Sequence, residues 1–192
     1  MLRAQLEPHF LFNALHTIAG LVRGARHEAA TSALAQLSEL LRYVVEASRQ
    51  ERVPLAWELE FASHYLKLQQ VRFGPRLRFA IHGDAAARRC DVPPLLLQPL
   101  IENAVVHGAA RTGAPADVEV RVAVLADAAL SVEVRNTRDA GAPPASTTGV
   151  GLSNTRQRLQ RMYGGDFRLE AGPDGARGYR VAISLPRAEE GA

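Results

Sequence analysis

The stretch that decides the fold is QPLIENAVVHG, from Gln98 to Gly108. Its apolar residues recur at helical spacing, which predicts a half-buried helix. Three polar residues interrupt the apolar run: Glu102, Asn103 and His107. Because residues three to five apart lie close on a helix surface, we expect these side chains to share one edge. A carboxylate, an amide and an imidazole on one edge indicate a site for metal-bound phosphate, although a surface helix with three solvated polar residues would show the same pattern.

The composition is typical of a globular protein with one or two domains. The chain has 192 residues, of which 47% are hydrophobic and 22% charged, with a net charge of +3. This spread of charge argues against direct nucleic-acid binding. The single Cys90 excludes an internal disulfide and favours a reducing compartment. No apolar run reaches the ~18 residues of a membrane span, and the helix-like start at Met1 leads us to expect the cytoplasmic end of a longer chain, with any membrane attachment only through segments outside this one.

Two amphipathic helices are predicted at the N-terminus, over residues 1–23 and 28–48. Each has one narrow apolar stripe, with alternating steps of four and three residues. Such a hairpin is too thin to bury both stripes, so a homodimeric four-helix bundle is expected. The alternative is that the hairpin packs on its own C-terminal domain. The stripe residues are Leu11, Leu15, Ile18 and Val22 in the first helix and Leu34, Leu37, Leu41 and Val44 in the second.

The motif PHFLFN, from Pro8 to Asn13, lies in the first helix. Continuing the heptad backwards puts His9 and Asn13 on an outer face, and Pro8 is expected to kink the helix. Phe10 is expected to lie away from the stripe. Exposed aromatic residues beside a titratable nitrogen indicate a docking surface, while a wider apolar face with His9 as a bystander remains open.

A third helix is predicted over residues 53–73, ended by Gly74 and Pro75. The pattern then changes to alternation, which predicts strands, with a helix from Gly149 to Tyr163 between them. The domain boundary is placed at residue 75, with helices in 1–75 and an α/β sandwich in 76–187, so the fold class is α+β. The predicted strands are residues 76–82, 118–125, 130–136, 166–171 and 179–185.

A second motif, TTGVGLSNTRQRL, runs from Thr147 to Leu159. Gly149 and Gly151 allow backbone N–H groups to approach a ligand at a helix N-terminus, where phosphate is favoured. A loop of eleven residues, 138–148, precedes the first of these glycines, and loops of that length are often lids. Although the glycines would also suit a plain turn, the two motifs together favour a nucleotide-phosphate site.

Three motifs, taken together, resemble the LytS-type sensor histidine kinases. They are PHFLFN at residues 8–13, LQPLIENAVVHG at residues 97–108 and GVGLSNTRQRL at residues 149–159. They occur in the family's order and cover nearly the whole chain. The resemblance implies a dimerisation hairpin followed by the GHKL-type ATP-binding sandwich of gyrase, chaperone and histidine kinases.

The resemblance also implies residue roles. His9 would accept the γ-phosphoryl group of ATP, with Asn13 and Glu102 in the catalytic set, and would pass it to a response-regulator aspartate. Asn103 would hold Mg²⁺. The other nucleotide-binding residues would be His107, Asn136, Thr148, Gly149, Gly151 and Leu152. Regulators that partner this family often carry a LytTR-type DNA-binding domain.

The chain departs from the family where the adenine is recognised. The family has an aspartate there, whereas this strand ends at Asn136. A carboxamide oxygen still accepts a hydrogen bond, but without charge. Asp139 would substitute only if the strand slipped by three residues, which would turn its side chains to the opposite faces.

Three functions follow from these features. The first is a dimeric histidine kinase. The second, motivated by Asn136, is a nucleotide-responsive dimer that binds a partner without phosphotransfer. The third is a serine kinase or ATPase on the same sandwich, which leaves His9 and the hairpin unexplained.

Overall fold

The computed structural model describes residues 8–109, 115–137 and 148–187, except the side chains of residues 8, 9 and 148–150. Helices precede a helix-covered sheet, and the predicted α+β class is confirmed. The helices are α1 (Pro8–Arg23), α2 (His27–Ala47), α3 (Leu55–Phe73), α4 (Ala85–Arg88), α5 (Gln98–His107) and α6 (Thr148–Tyr163). The strands are β1 (Val53–Pro54), β2 (Leu77–Gly83), β3 (Asp91–Val92), β4 (Ala116–Val124), β5 (Ala129–Thr137), β6 (Arg168–Asp174) and β7 (Gly178–Pro186).

The two N-terminal helices form the predicted hairpin, and one face of α2 packs against α3. This face includes Leu37, Leu40 and Tyr43, all buried. The opposite side of the hairpin stays exposed and contains four of the eight predicted stripe residues, Leu15, Val22, Leu34 and Leu41. The other four do not lie on this open side: Leu37 is buried, and Leu11, Ile18 and Val44 are partly buried against the core. Both sequence-based alternatives therefore describe part of the hairpin: it packs on its own chain and leaves an apolar stripe open.

Phe10 does not lie on an exposed aromatic surface, so that prediction is wrong for this residue. It is 6% exposed, and its ring stacks on Tyr65 of α3 with centroids 4.8 Å apart. The heptad argument considered only a dimer partner and missed α3 as a second neighbour. Phe12, at 64% exposure, is exposed as expected. The predicted kink at Pro8 depends on residues 1–7, which lie outside the described part.

Five strands form one sheet in the order β2-β4-β5-β7-β6, with β2 parallel to β4 and the other neighbours antiparallel. The predicted antiparallel pairing of β4 with β5 is confirmed. Helix α5 packs across β4 and β5, α3 packs on β2, and α6 lies beside α5. Alternate residues such as Val120 and Val132 are buried beneath these helices, as expected for a sheet with one covered face.

The other face of the sheet is polar. Opposite charges lie across the strands, as in the register pairs of Glu119 with Arg135 and Arg121 with Glu133. Glu133 also pairs with Arg180 of β7. Exposed cross-strand pairs of this kind contribute little stability each, but they keep the uncovered face soluble.

Helix α3 lies between the hairpin and the sheet. Its predicted stripe of Leu55, Leu59, Ala62 and Leu66 is buried, and it contacts α2, β2 and α5. Because α3 packs on both parts of the chain, the boundary at residue 75 remains a prediction. The pairing of β1 with β3 was not predicted, since two-residue strands are too short to show alternation.

Glycine at position 108 is expected to be required for stability. A Cβ on Gly108 would lie 2.8 Å from Ala104 O and 3.1 Å from Ala116 Cβ, so Gly108→Ala should cost roughly 1–3 kcal/mol through overpacking. Gly165→Ala is the matched control, because a Cβ there meets nothing within 4 Å. Urea unfolding measures both variants. Equal free energies of unfolding would contradict this prediction.

Candidate active site

Helix α5 presents the polar residues of the decisive stretch. Leu100 and Ile101 are buried under the helix, whereas Glu102, Asn103 and His107 are half-buried. At about 100° per residue, Asn103 and His107 lie on one edge and Glu102 lies about a quarter-turn aside. The edge therefore carries an amide one turn before an imidazole, and the carboxylate lies beside this edge.

Glu102 is oriented within its own helix. Gln98 Nε2, one turn earlier, donates to Glu102 Oε1 at 2.9 Å. Gln98 itself is buried at 7% exposure, so this hydrogen bond holds one carboxylate oxygen beside the helix.

Asn103 contains a buried nitrogen that needs explanation. Among the described residues, Asn103 Nδ2 has no hydrogen-bond partner. A Cβ built on Gly151 would lie 3.7 Å from this atom, so the first turn of α6 meets the amide edge of α5. A buried polar group without a partner is costly in a folded protein and is often a ligand-binding group.

Asn136 lies on the inward face of β5, as the strand alternation predicts. It is 6% exposed and stands opposite Val118 of β4 and Tyr179 of β7. Its Nδ2 donates to Thr137 O at 3.1 Å. The backbone accepts one of the two amide hydrogens, and the side-chain carbonyl oxygen is the group suited to accept from a ligand. The competing residue Asp139 lies outside the described residues.

Helix α6 begins at Thr148, one residue before the start at Gly149 that the sequence predicts. Gly151 and Leu152 are half-buried at its first turns. The side chain of Thr148 and the burial of Gly149 lie outside the described part, as does the loop 138–147. The helix thus directs its N-terminal end, which favours anions, towards the Asn103 edge.

The hairpin residues are described only in part. The backbone of His9 is helical in α1, but its ring lies outside the described residues. Asn13 is half-buried one turn later, and Thr17 Oγ1 donates to its carbonyl oxygen at 2.8 Å. The predicted roles of His9 and Asn13 therefore stay predictions.

Sequence reasoning missed a buried polar network behind the site. It contains Tyr43 of α2, Glu58 of α3 and Arg158 of α6, which meet at the segment before α5. The only sequence signal was a glutamate beside the buried stripe of α3. That signal is weak, because Glu60 lies two positions further and is exposed.

Comparison with known families shows to which family the chain belongs. Residues 94–189, half of the chain, match the family described as "Histidine kinase-, DNA gyrase B-, and HSP90-like ATPase". The chain belongs to this ATPase family. Residues 1–77 match a second family, described as "Histidine kinase". The predicted LytS-type resemblance is thereby confirmed at the level of the family.

Relatives of this ATPase family member are sensor proteins. The chain is 32% identical to the sensor protein LytS of Bacillus subtilis over 200 residues, covering 96% of this chain and 33% of the relative. It is 31% identical to the sensor histidine kinase BtsS of Escherichia coli, covering 99% and 33% respectively. The chain thus spans about a third of the length of the curated relatives it matches.

A solved structure supports the fold of this family. The histidine kinase domain of the blue-light activated kinase from Erythrobacter litoralis EL346 matches with a TM-score of 0.53 at 19% identity, covering 86% of this chain and 82% of that one. Within the described residues, no helix has the length and apolar character needed to cross a membrane.

Proposed function

We propose that this chain is the kinase core of a two-component sensor histidine kinase. It transfers the γ-phosphoryl group of ATP to His9 and then to an aspartate of a response regulator. The observation that carries the proposal is that Asn103 Nδ2 has no hydrogen-bond partner in residues 8–109, 115–137 and 148–187 and lies close to the glycine-rich start of α6. That arrangement suits a triphosphate between the two helices, and both family matches agree with it.

The nucleotide would be held at both of its ends. Asn136 would accept a hydrogen bond from the adenine amino group through its carbonyl oxygen. The phosphates would meet the start of α6, at Thr148, Gly149, Gly151 and Leu152, where free N–H groups and the helix dipole favour anions. His107, on the same edge as Asn103, would line the phosphate side.

Magnesium fits the residues present at Asn103. No cluster of three or more His, Cys, Asp or Glu side chains suited to a metal occurs in residues 8–109, 115–137 and 148–187. The Asn103 carbonyl oxygen is a hard ligand of the type Mg²⁺ takes alongside substrate phosphates and water. When bound, the ion would reduce the negative charge of the phosphates.

The reaction needs a neutral imidazole at His9. Its ring nitrogen attacks the γ-phosphorus, a nitrogen–phosphorus bond forms, and the bond to the oxygen bridging the β-phosphate breaks, so that ADP leaves. Asn13 would orient the ring from one helical turn away. Glu102, which accepts a hydrogen bond from Gln98, would orient groups near the phosphates.

The test is incubation with γ-labelled ATP and Mg²⁺. We expect label on the protein that is stable in base and lost in acid, the behaviour of a phosphohistidine. Omission of Mg²⁺ should abolish it, and excess ADP should compete. Acid-stable label would point instead to a hydroxyl acceptor and would contradict the proposal.

One observation favours a second candidate function. Asn136 offers adenine an uncharged acceptor, which weakens that contact relative to a carboxylate. The chain would then be a nucleotide-responsive dimeric regulator without phosphotransfer. Nucleotide binding without phosphohistidine under any condition would favour this reading.

The apolar stripe of the hairpin is proposed to be a homodimer seam. Its exposed residues are Leu15, Val22, Leu34 and Leu41, joined by Val45 next to the predicted stripe, and each is between 42% and 56% exposed. Exposed apolar residues at helical spacing favour a second helix pair. A copy of the same hairpin would bury the stripe and complete a four-helix bundle.

Leu41→Glu is expected to break this dimer. A charge buried in an apolar seam is strongly unfavourable, so the dimer dissociation constant should rise by at least about a hundredfold. Leu125→Glu is the matched control, because Leu125 is 45% exposed, against 42% for Leu41, and lies in the β4–β5 turn. Sedimentation velocity measures the mass. The seam assignment fails if both variants sediment like the wild-type chain.

We further propose that the chain works in the cytoplasm, where ATP and response regulators are available. The sensor relatives are longer, and this chain spans about a third of them. Any membrane attachment would lie in other segments. A LytTR-type regulator is the partner we would test first for phosphoryl transfer.

A further inference from the structure

The segment of residues 93–97, here called the elbow, connects β3 to α5. Pro93 and Pro94 have no N–H to donate. Leu95 has a φ of 57°, a left-handed conformation that is unfavourable for a residue with a branched side chain. The elbow therefore depends on neighbouring elements to hold its shape, and its shape sets where α5 and Asn103 begin.

Glu58 of α3 holds the elbow from the hairpin side. Its side chain is fully buried, and its carboxylate accepts from Leu95 N at 2.5 Å and Leu97 N at 2.8 Å. Burial raises the pKa of Glu58, and the hydrogen bonds it accepts oppose that rise. Two backbone donors meeting one carboxylate fix both ends of the strained residue.

Arg158 of α6 holds the elbow from the opposite side. Its Nη1 donates to Pro94 O at 2.5 Å and its Nη2 to Leu95 O at 3.0 Å. Arg158 lies seven residues, or two helical turns, after Gly151, so it shares the face of α6 that meets Asn103. Any movement of the glycine-rich start of α6 would therefore act on the elbow.

Tyr43 of α2 connects this arrangement to the hairpin. Its hydroxyl donates to Glu58 Oε1, and burial raises its pKa so that the phenol stays protonated. The contact lies four residues before the end of α2. The hairpin that carries His9 thus meets the elbow through one phenol and one carboxylate.

We infer that Glu58 and Arg158 are positioning residues for the nucleotide site, and that Tyr43 couples their hold on the elbow to the orientation of the hairpin. Neither Glu58 nor Arg158 needs to contact the nucleotide. They act by placing the first turn of α5, and hence Asn103, relative to the start of α6. The inference rests on the proposed function.

Nucleotide affinity tests the part played by Arg158. With a non-hydrolysable ATP analogue and Mg²⁺, calorimetry on the full chain should show about tenfold weaker binding for Arg158→Gln. Arg158→Lys, which keeps the positive charge but not the two-nitrogen fork, should lose about threefold. Arg161→Gln is the control, because Arg161 is exposed on the same helix.

The rate of phosphohistidine formation tests the part played by Tyr43. Tyr43→Phe should lower kcat about tenfold and leave KM within twofold, because the backbone contacts of Glu58 remain while the link to the hairpin is lost. Glu58→Gln should raise KM as well, since its amide nitrogen would face a backbone donor. Glu60→Gln, an exposed change on α3, should alter neither quantity.

The outcomes separate the inference from the function. Wild-type nucleotide affinity in both Arg158 variants would overturn the inference but not the proposed function, and so would an unchanged kcat in Tyr43→Phe. A fall in the melting temperatures of these variants without either change would also overturn the inference. Analogue binding without phosphohistidine would overturn the histidine kinase reaction and leave the affinity test standing. A wild-type chain that binds no nucleotide would overturn both. If Arg158→Gln does not fold, the Lys variant decides.

Discussion

Replacing His9 with glutamine is expected to remove phosphohistidine formation entirely, by at least about a thousandfold. Glutamine has a similar length and keeps a hydrogen-bonding end, but its amide nitrogen is not nucleophilic because its lone pair is delocalised into the carbonyl. Nucleotide binding should be unchanged, since the residue is in α1 and the proposed nucleotide groups are in α5, β5 and α6. Labelled ATP measures the reaction, and calorimetry with the analogue measures binding.

His16→Gln provides the control for this experiment. His16 lies seven residues after His9 in α1, about two turns along the same helix, and is exposed. It should take no label and its replacement should leave the rate unchanged. Retained label in His9→Gln, or loss of label in His16→Gln, would mean that a residue other than His9 accepts the phosphoryl group.

Asn103→Ala should have the second-largest effect: a loss of about a hundredfold or more in the labelling rate, with no loss of fold stability. Removal of the proposed Mg²⁺ ligand forfeits several kcal/mol of charge stabilisation at the phosphates. Within the part of the chain that the structure describes, however, Asn103 Nδ2 is buried without a hydrogen-bond partner. Removing an unsatisfied group relieves a penalty of about 1–3 kcal/mol, which offsets the lost packing.

This separation of activity from stability distinguishes a ligand-binding residue from a structural one. The free energy of unfolding, from urea titration without nucleotide, should stay within about 1 kcal/mol of wild type or increase. Gln160→Ala, an exposed amide on α6, should change neither the rate nor the stability. A large loss of stability in Asn103→Ala would mean that the amide serves the fold instead.

Local periodicity was sufficient to predict the main elements. The apolar run at Leu100 and Ile101 predicted the buried face of α5, and the strict alternation of β4 and β5 predicted their inward face correctly, including Asn136. These signals are local, because each element needs only one buried side. They predicted the order of helices and strands and the position of Asn103 on a half-buried edge.

Long-range contacts were not predictable in this way. Glu58 binds backbone atoms 37 and 39 residues away, and a buried carboxylate cannot be told from an exposed one without knowing its donors. Phe10 was misplaced for the same reason, because α3 occupies the side assumed to face solvent. The approach of Gly151 to Asn103 likewise appears only once α5 and α6 are packed together.

Helix α2 presents apolar residues on two faces, because Leu40 and Tyr43 are buried within the chain while Leu34 and Leu41 are exposed. Side-chain ends lie about 5 Å from a helix axis, so a twist of about 20° would shift them by nearly 2 Å. That is more than a hydrogen bond tolerates. Rotation of α2 against a second copy of the hairpin would therefore break the hydrogen bond from the Tyr43 hydroxyl to Glu58.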